Sequence, residues 1–182
     1  MQEPRIQQQF FESADLFYQV AEALSRPLND AAQMLVEAIT GGNRLLCCGL
    51  GLSRLDAAYM AALMLGRFEQ DRPGLAAIAL SDTPEPARQI QTLGHPGDLL
   101  LLFDGHGAGG LAPLLAAARA QDMSAIVFSG SAADEELRGL LLDTDVHLRV
   151  SATRAARVAE GQRLMIHCLS DAVDHALLGS DE

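Results

Sequence analysis

Five consecutive apolar residues, from Leu99 to Phe103, constrain this chain more than any other feature of its sequence. A strand with one face in water alternates apolar and polar residues, whereas a strand that is apolar at every position must be covered on both faces. Further short apolar runs begin near Arg44, Leu75, Ser124 and Val146, and helical patterns separate them. This alternation predicts a three-layer, doubly wound α/β fold with a parallel sheet of about five strands.

The helical patterns place the remaining elements. Two amphipathic N-terminal helices are predicted over 3–24 and 28–40, because Pro27 between them disrupts a helix interior. Later helices are predicted over 53–69, 84–93, 111–121, 133–142 and 155–178. The 182 residues fit one domain, with residues 1–41 as an N-terminal helical extension and 42–182 as the α/β core with its C-terminal helix.

The first predicted helix is rich in aromatic residues. It holds half of the eight aromatic residues of the chain: Phe10, Phe11, Phe17 and Tyr18. Neighbouring aromatics at 10–11 and 17–18 make its apolar stripe wider than one helix contact needs. Two interpretations stay open, which are packing against the second helix and an additional subunit interface.

Charge and composition exclude several classes of function. The chain has 24 acidic and 13 basic residues, a net charge of −11, and it lacks the basic stripe that neutralises a nucleic-acid backbone. All 13 basic residues are arginine, so no lysine exists for a Schiff base, a general base or a Walker-type phosphate loop. We therefore expect no direct binding of nucleic acid.

Cysteine usage and the N-terminal segment predict the compartment. Cys47, Cys48 and Cys168 have the number and spacing of reduced core thiols. The N-terminal segment has no basic region followed by an apolar one, and the apolar runs are too short to span a membrane. These features predict a cytoplasmic protein without a membrane anchor.

Two glycine-rich segments follow predicted strands at the sheet edge where parallel α/β folds bind ligands. The first contains Gly49, Gly51 and Ser53 and opens a helix whose N-terminal amides can hold an anion. A structural interpretation competes with this one, because Ser53 and Asp56 have the spacing of a capping box and glycines suit such turns for steric reasons.

The second glycine-rich segment, 104–110, places Asp104 and His106 at the tip of the all-apolar strand. A carboxylate at this point repels a phosphate dianion unless a metal or a charged His106 compensates. Because no third ligand stands at a recognisable spacing, we predict no metal site.

The last predicted helix carries a candidate acid–base group. His167 shares one helix face with Asp171 and Asp174, which can orient its imidazole for proton transfer. The alternative is a histidine that is exposed or satisfied by an acidic neighbour. Three arginines near the start of this helix are predicted to form a solvated, salt-bridged face with acids such as Glu160: Arg154, Arg157 and Arg163.

Segments 42–53, 66–73 and 77–80 resemble those of SIS (sugar isomerase) domain proteins, and the similarity extends over nearly the whole chain. The chain looks closest to the DnaA initiator-associating branch of this family, with the phosphoheptose isomerases next. The Arg-Phe-Glu-x-x-Arg-Pro stretch that begins at Arg67 is fairly specific, whereas the glycine turn alone is not. The resemblance implies a flavodoxin-like SIS fold.

The departures from the family imply a non-catalytic member. The family's C-terminal catalytic His matches His167, but its other His and its catalytic Glu fall at Tyr59 and Leu63. In the first glycine-rich segment, Leu50 and Leu52 stand where the family has an Asn and small residues. The second glycine-rich segment, 104–110, lacks the Ser/Thr-rich phosphate loop of the family. We expect no catalytic residue beyond the candidate His167, and no cofactor.

Likeness to the DnaA initiator-associating branch implies a homo-oligomer, dimer or tetramer, that gathers DnaA molecules and regulates replication initiation. The residues with which that branch contacts DnaA fall at Leu177 and Leu178. The alternatives are a phosphoheptose-type sugar-phosphate isomerase and a sugar-phosphate-binding sensor. The predicted contacts for such a ligand are Gly49, Gly51, Ser53, Asp104 and His106.

Overall fold

The computed structural model describes residues 2–81 and 85–179. Helices and strands alternate along the chain after a long first helix. In order they are α1 (Glu3–Thr40), β1 (Leu45–Gly49), α2 (Arg54–Leu65), β2 (Ala77–Ala79), α3 (Pro86–Leu93), β3 (Leu99–Asp104), α4 (Leu111–Arg119), β4 (Ser124–Gly130), α5 (Asp134–Leu137), β5 (Val146–Val150) and α6 (Ala155–Leu178).

The strands form one parallel sheet in the order β2-β1-β3-β4-β5. The chain moves outward from β1 to β2 and then returns to the other side of β1 to form β3. The helices that follow β1 and β3 therefore lie on opposite faces of the sheet, and a crevice opens between the carboxyl ends of these two strands. The predicted doubly wound α/β fold is confirmed.

Each face of the sheet has its own core, which explains why β3 is apolar at every position. Leu101 and Phe103 face the core shared with α1, α2 and α6. Leu100 and Leu102 face the core beneath α3, α4 and α5. Phe103 stacks on Phe128 of β4 with 4.2 Å between ring centroids, so the first core continues across the middle of the sheet.

The N-terminal segment forms one helix and not the predicted two. Pro27 lies inside α1, where it lacks the N–H that the helix would use. Leu24 and Ala31, on either side of the proline, are both buried in the same core, and this packing outweighs the lost hydrogen bond. Helix α5 is shorter than predicted because the chain turns directly after Leu137, where Arg138 has a non-helical ψ of 114° and Gly139 a φ of +73°.

Most of the aromatic residues of α1 are in solvent. Phe10, Phe11 and Tyr18 are 71%, 62% and 76% exposed, so their predicted packing against a second helix is wrong. Phe17 is half-buried. The interpretation that remains for the exposed rings is a subunit interface.

The cysteines divide into two environments. Cys47 and Cys48 are buried in β1, and burial raises the pKa of Cys47 to about 12 and that of Cys48 to about 11, so both remain protonated thiols. Cys168 is exposed, which corrects its predicted place in the core. Among the residues that the structure describes, none of the helices is long and apolar enough to cross a bilayer.

Candidate functional site

A cleft of about 770 Å³ opens at the carboxyl ends of β1 and β3. The turn after β1, the first turn of α2, the loop after β3, the first half of α6 and one side chain of α1 form its walls. The lining residues are Phe17, Leu52, Ser53, Leu55, Asp56, His106, Ala155, Ala156, Ala159, Glu160, Arg163, Leu164 and His167. The sequence-predicted residues Ser53, His106 and His167 thus meet in one pocket.

The glycine turn after β1 serves close packing. A Cβ on Gly49 would lie 2.4 Å from backbone atoms of Ser53 and Arg54, and Gly51 has a φ of +55°. The Ser53 hydroxyl accepts a hydrogen bond from the Gly105 N–H at 2.8 Å, which joins this turn to the loop after β3. The capping-box interpretation is wrong, since Ser53 does not cap α2 and Asp56 binds Arg163 at 2.7 Å.

The carboxylate of Asp104 binds the backbone of its own loop. Asp104 is fully buried, and its Oδ1 accepts hydrogen bonds from the N–H groups of His106 at 3.2 Å and Ala108 at 3.1 Å. These are amides that a glycine-rich loop would present to an anionic ligand. In this chain a protein carboxylate already binds them.

A second carboxylate occupies the N-terminus of α4. Glu136 Oε1 accepts hydrogen bonds from the N–H groups of Gly110, Leu111 and Ala112 at 2.9, 2.7 and 3.2 Å. Helix N-termini attract anions through such free N–H groups. Sequence reasoning missed Glu136, because it reaches α4 from α5 and no local pattern links the two segments.

His167 is oriented by Tyr59 and not by the predicted acids. The Tyr59 hydroxyl lies 3.0 Å from His167 Nε2, and the Phe68 ring centroid lies 5.6 Å from that of the imidazole. Asp171 is exposed, and Asp174 binds Arg72. Leu63, one turn after Tyr59 on α2, packs against the core.

The arginines at the start of α6 pair with acids of α1, of α2 and of α6 itself. Arg163 binds Asp56, and its Cζ lies 3.9 Å above the Tyr59 ring. Arg157 is 7% exposed and donates to Glu160 at 2.5 Å and to the Ser13 hydroxyl at 2.8 Å. The predicted solvated face is therefore wrong for Arg157, which fastens α6 to α1. The exposed Arg154 likewise binds α1, through Glu12 at 2.7 Å.

The Arg-Phe-Glu-x-x-Arg-Pro stretch has a structural role in this fold. The Arg72 guanidinium pairs with Asp174 of α6 and donates to the carbonyl oxygens of Leu63 at 3.0 Å and Met64 at 2.9 Å. It thereby satisfies carbonyl groups in the last turn of α2 and ties that helix to α6.

The remaining predicted residues lie outside the pocket. Leu177 is half-buried and Leu178 is 45% exposed at the end of α6. Within residues 2–81 and 85–179, no group of three or more His, Cys, Asp or Glu side chains is arranged to hold a metal ion.

Comparisons with known proteins agree with this fold. The SIS domain family model matches residues 9–130. The chain is 43% identical to a phosphoheptose isomerase of Methylibium petroleiphilum, over 100% of this chain and 98% of that relative. It is 37% identical to the DnaA initiator-associating protein DiaA of Klebsiella pneumoniae, over 95% of each.

Solved structures show the same architecture. A phosphoheptose isomerase from Francisella tularensis superposes with a TM-score of 0.89 at 27% identity, covering 96% of this chain and 99% of that one. The enzyme from Neisseria gonorrhoeae gives a TM-score of 0.86 at 29% identity, with the same coverage. The family match, the relatives and the shared architecture together show that the chain belongs to the SIS domain family.

Proposed function

We propose that this protein is a non-catalytic SIS-domain protein that acts in the cytoplasm as a homo-oligomeric regulator of DnaA-dependent replication initiation. The proposal that the protein is non-catalytic rests on one observation. Asp104 and Glu136 already accept hydrogen bonds from the backbone N–H groups of the loop after β3 and of the first turn of α4. The regulatory part rests on the likeness to DiaA.

A sugar phosphate needs hydrogen-bond donors that are free to bind its phosphate. Five backbone N–H groups around the loop after β3 already donate to Asp104 or Glu136: those of His106, Ala108, Gly110, Leu111 and Ala112. A hydrogen bond to a charged group is worth about 1.5–3 kcal/mol, so a phosphate would have to displace strong bonds and also approach two carboxylates. This arrangement opposes phosphate binding.

Isomerisation also needs a free acid–base pair next to the substrate. His167 supplies one candidate group. The pocket carboxylates Asp56 and Glu160 are paired with Arg163 and Arg157, and Leu63 offers no proton. The described lining of the pocket therefore contains two histidines, His106 and His167, and no unpaired carboxylate base.

Contact with a partner fits the exposed apolar residues better than catalysis does. Leu178 projects from the end of α6, and Phe11 and Tyr18 project from α1. An oligomer assembled through residues 1–41 would present several copies of the Leu177–Leu178 region, which raises the local concentration of bound DnaA.

Capture of purified cognate DnaA by the immobilised full-length protein tests this proposal. We expect DnaA to be retained by the wild type and by Leu142→Ser, which alters an exposed leucine elsewhere. Retention should fall at least about tenfold in Leu178→Ser, a loss of about 1.4 kcal/mol. Failure of the wild type to retain DnaA would refute the regulatory proposal.

The second candidate function is a phosphoheptose-type isomerase. It is favoured by His167, which lines the pocket and contacts the Tyr59 hydroxyl, and by the name of the Methylibium relative. Turnover of sedoheptulose 7-phosphate by the wild type, lost in His167→Ala, would establish this function and exclude the non-catalytic one. We expect no turnover above that of His167→Ala.

A further inference from the structure

We propose that the outer face of α2 binds a second copy of this chain, whose own α2 packs antiparallel to it across a two-fold axis. This surface is separate from the N-terminal segment 1–41 of the proposed oligomer, and it does not involve DnaA. Capture of DnaA and pairing through α2 can therefore fail independently. Four features of α2 support the proposal: its composition, the exposure of its outer face, the symmetry of that face and the charges at its ends.

Helix α2 is apolar on every side after its first turn. The nine residues from Ala57 to Leu65 contain no charged side chain and one hydroxyl, that of Tyr59. A surface helix of a soluble protein normally has a polar outer face, and a helix that is apolar all round is normally buried. Although the chain has a net charge of −11, it places no charge on this stretch. The composition therefore indicates a helix that is covered on both sides.

The outer face of α2 is nevertheless exposed. The inner face is buried in the core through Ala57, Met60, Ala61 and Met64. The opposite face exposes four apolar residues: Leu55, Ala58, Ala62 and Leu65. Their spacing of three, four and three residues aligns them along one side of the helix, and we call them the α2 stripe. Its two leucines are 60% and 56% exposed, which is typical of an interaction site.

The α2 stripe has the same order of residues in both directions. Leu55 and Leu65 each lie five residues from Met60, and Ala58 and Ala62 each lie two residues from it. When two copies of α2 pack antiparallel, leucine therefore meets leucine and alanine meets alanine. A two-fold interface requires a surface that fits itself in this way. This symmetry identifies the occupant as a second copy and not as an unrelated helix.

The residues around the stripe extend the same fit. The alanines at the crossing allow the two helix axes to approach to about 8 Å. Leu52 before the helix is 58% exposed and Phe68 after it is half-buried, and each lies eight residues from Met60. Antiparallel packing brings Leu52 of each copy towards Phe68 of the other. Since Leu52 also lines the cleft, the second copy would cover one side of the cleft's mouth.

The charges at the ends of α2 favour the antiparallel orientation. Arg54 is exposed at the N-terminus and donates to the Gly51 carbonyl oxygen at 2.9 Å, and the last turn of α2 holds no basic residue. Antiparallel packing places Arg54 beside the C-terminal end of the other α2, where the helix dipole stabilises a cation. Parallel packing would bring the two Arg54 side chains together instead.

Cysteine cross-linking tests the antiparallel register. Leu55→Cys and Leu65→Cys are made in a Cys168→Ser background, which removes the exposed native thiol. Equivalent residues of the two copies would be about 15 Å apart along the helix axis, beyond the reach of a disulfide. We expect at least about tenfold more covalent dimer when the two variants are co-expressed and oxidised than when either is oxidised alone. Dimers from Leu55→Cys alone, or none from the co-expressed pair, would overturn the proposal.

Sedimentation velocity of the full-length protein tests the surface itself. Ala62→Glu alters an exposed residue, so the fold is kept, but in the dimer its carboxylate would be buried opposite the α2 stripe of the other copy. We expect the dissociation constant for self-association to rise at least about tenfold. Ala116→Glu makes the same change at an exposed alanine of α4 and should stay within about twofold of the wild type. A monomeric wild type, or an Ala62→Glu variant that assembles like the wild type, would overturn the proposal.

Discussion

At the residue scale, Arg72 is expected to contribute strongly to stability. Its side chain is 1% exposed, and that of its partner Asp174 is 4% exposed. Removing one member of a buried ion pair leaves an uncompensated charge and usually costs 3–5 kcal/mol. We predict that Arg72→Met lowers the free energy of unfolding by about 3–5 kcal/mol in urea denaturation.

Arg67→Met is the matched control within the same sequence stretch. Arg67 forms an exposed pair with Asp71 at 3.6 Å, with side chains 67% and 92% exposed. Exposed pairs contribute at most about 1 kcal/mol. A comparable loss in both variants would contradict the structural role of Arg72.

His147 makes stability depend on pH. Its Nε2 lies 2.7 Å from the buried Ser129 Oγ, and burial lowers the pKa of His147 below its ordinary value of 6.5, although Asp134 opposes this shift. The folded state thus favours the neutral imidazole, and the unfolded state binds the proton more readily. This contribution to stability is present above pH 6.5 and is lost as the pH falls towards the lowered pKa.

We predict that the free energy of unfolding falls between pH 7.5 and 5.5 in urea titrations, and that His147→Gln reduces the slope. An unchanged slope in His147→Gln would assign the pH dependence to other groups.

Asp104 determines what the loop after β3 can bind. Asp104→Ser removes the carboxylate and frees the N–H groups of His106 and Ala108 for an external anion. We predict that millimolar inorganic phosphate raises the Tm of this variant by about 2–4 °C, which corresponds to about 1 kcal/mol, and leaves the wild type unchanged. Asp143→Ser alters an exposed carboxylate and should behave as the wild type.

At the scale of secondary-structure elements, Glu136 acts as a distant N-cap for α4. The helix begins after Gly110, which has a φ of +95° and no capping side chain, so Glu136 supplies the acceptor for its first amides. Loss of a capping residue typically costs about 0.5–2 kcal/mol. Glu136→Ala should therefore lower the free energy of unfolding by about 1–2 kcal/mol in urea denaturation, since it leaves three N–H groups without their acceptor.

The neighbouring Glu135 provides the control for this prediction. Glu135 is exposed in the same short helix, so Glu135→Ala should change the free energy of unfolding by less than about 0.5 kcal/mol. Equal losses in the free energy of unfolding for both variants would show that the loss comes from disruption of α5 and not from the missing acceptor at the start of α4.

At the scale of the whole molecule, the exposed rings of α1 bear on assembly. Phe11 and Tyr18 are seven residues apart, so they project from the same side of the helix two turns apart. Large exposed apolar side chains on one side of a helix are typical of interfaces. We predict that Phe11→Ser combined with Tyr18→Ser shifts the protein to smaller species in sedimentation velocity, while Leu142→Ser does not.

The exposed rings of α1 belong to the same helix as one wall of the pocket. Phe17 of α1 lines the pocket, and Phe11 and Tyr18 lie on the same helix. Assembly through this helix would therefore change the surroundings of the pocket.

The sequence predicted elements best where one pattern dominated the local structure. The uniform apolar run of β3 and the periodicity of α6 gave those two elements with bounds within one residue of the structure. Prediction failed at Pro27, because buried contacts on both sides of the proline outweigh its helix-breaking tendency. It failed over 133–142 because a turn at Arg138 and Gly139 ends α5 early.

The sequence by itself determined the layered α/β fold, since a strand that is apolar at every position is stable only when helices cover both faces. It also placed Ser53 and His106 at the edge of the sheet where the strands end, and the structure adds His167 to them. Tertiary structure alone decided which groups they meet. The Tyr59–His167 and Gly110–Glu136 contacts join residues 108 and 26 positions apart, and hydrogen bonds over such separations leave no periodic signal in the chain.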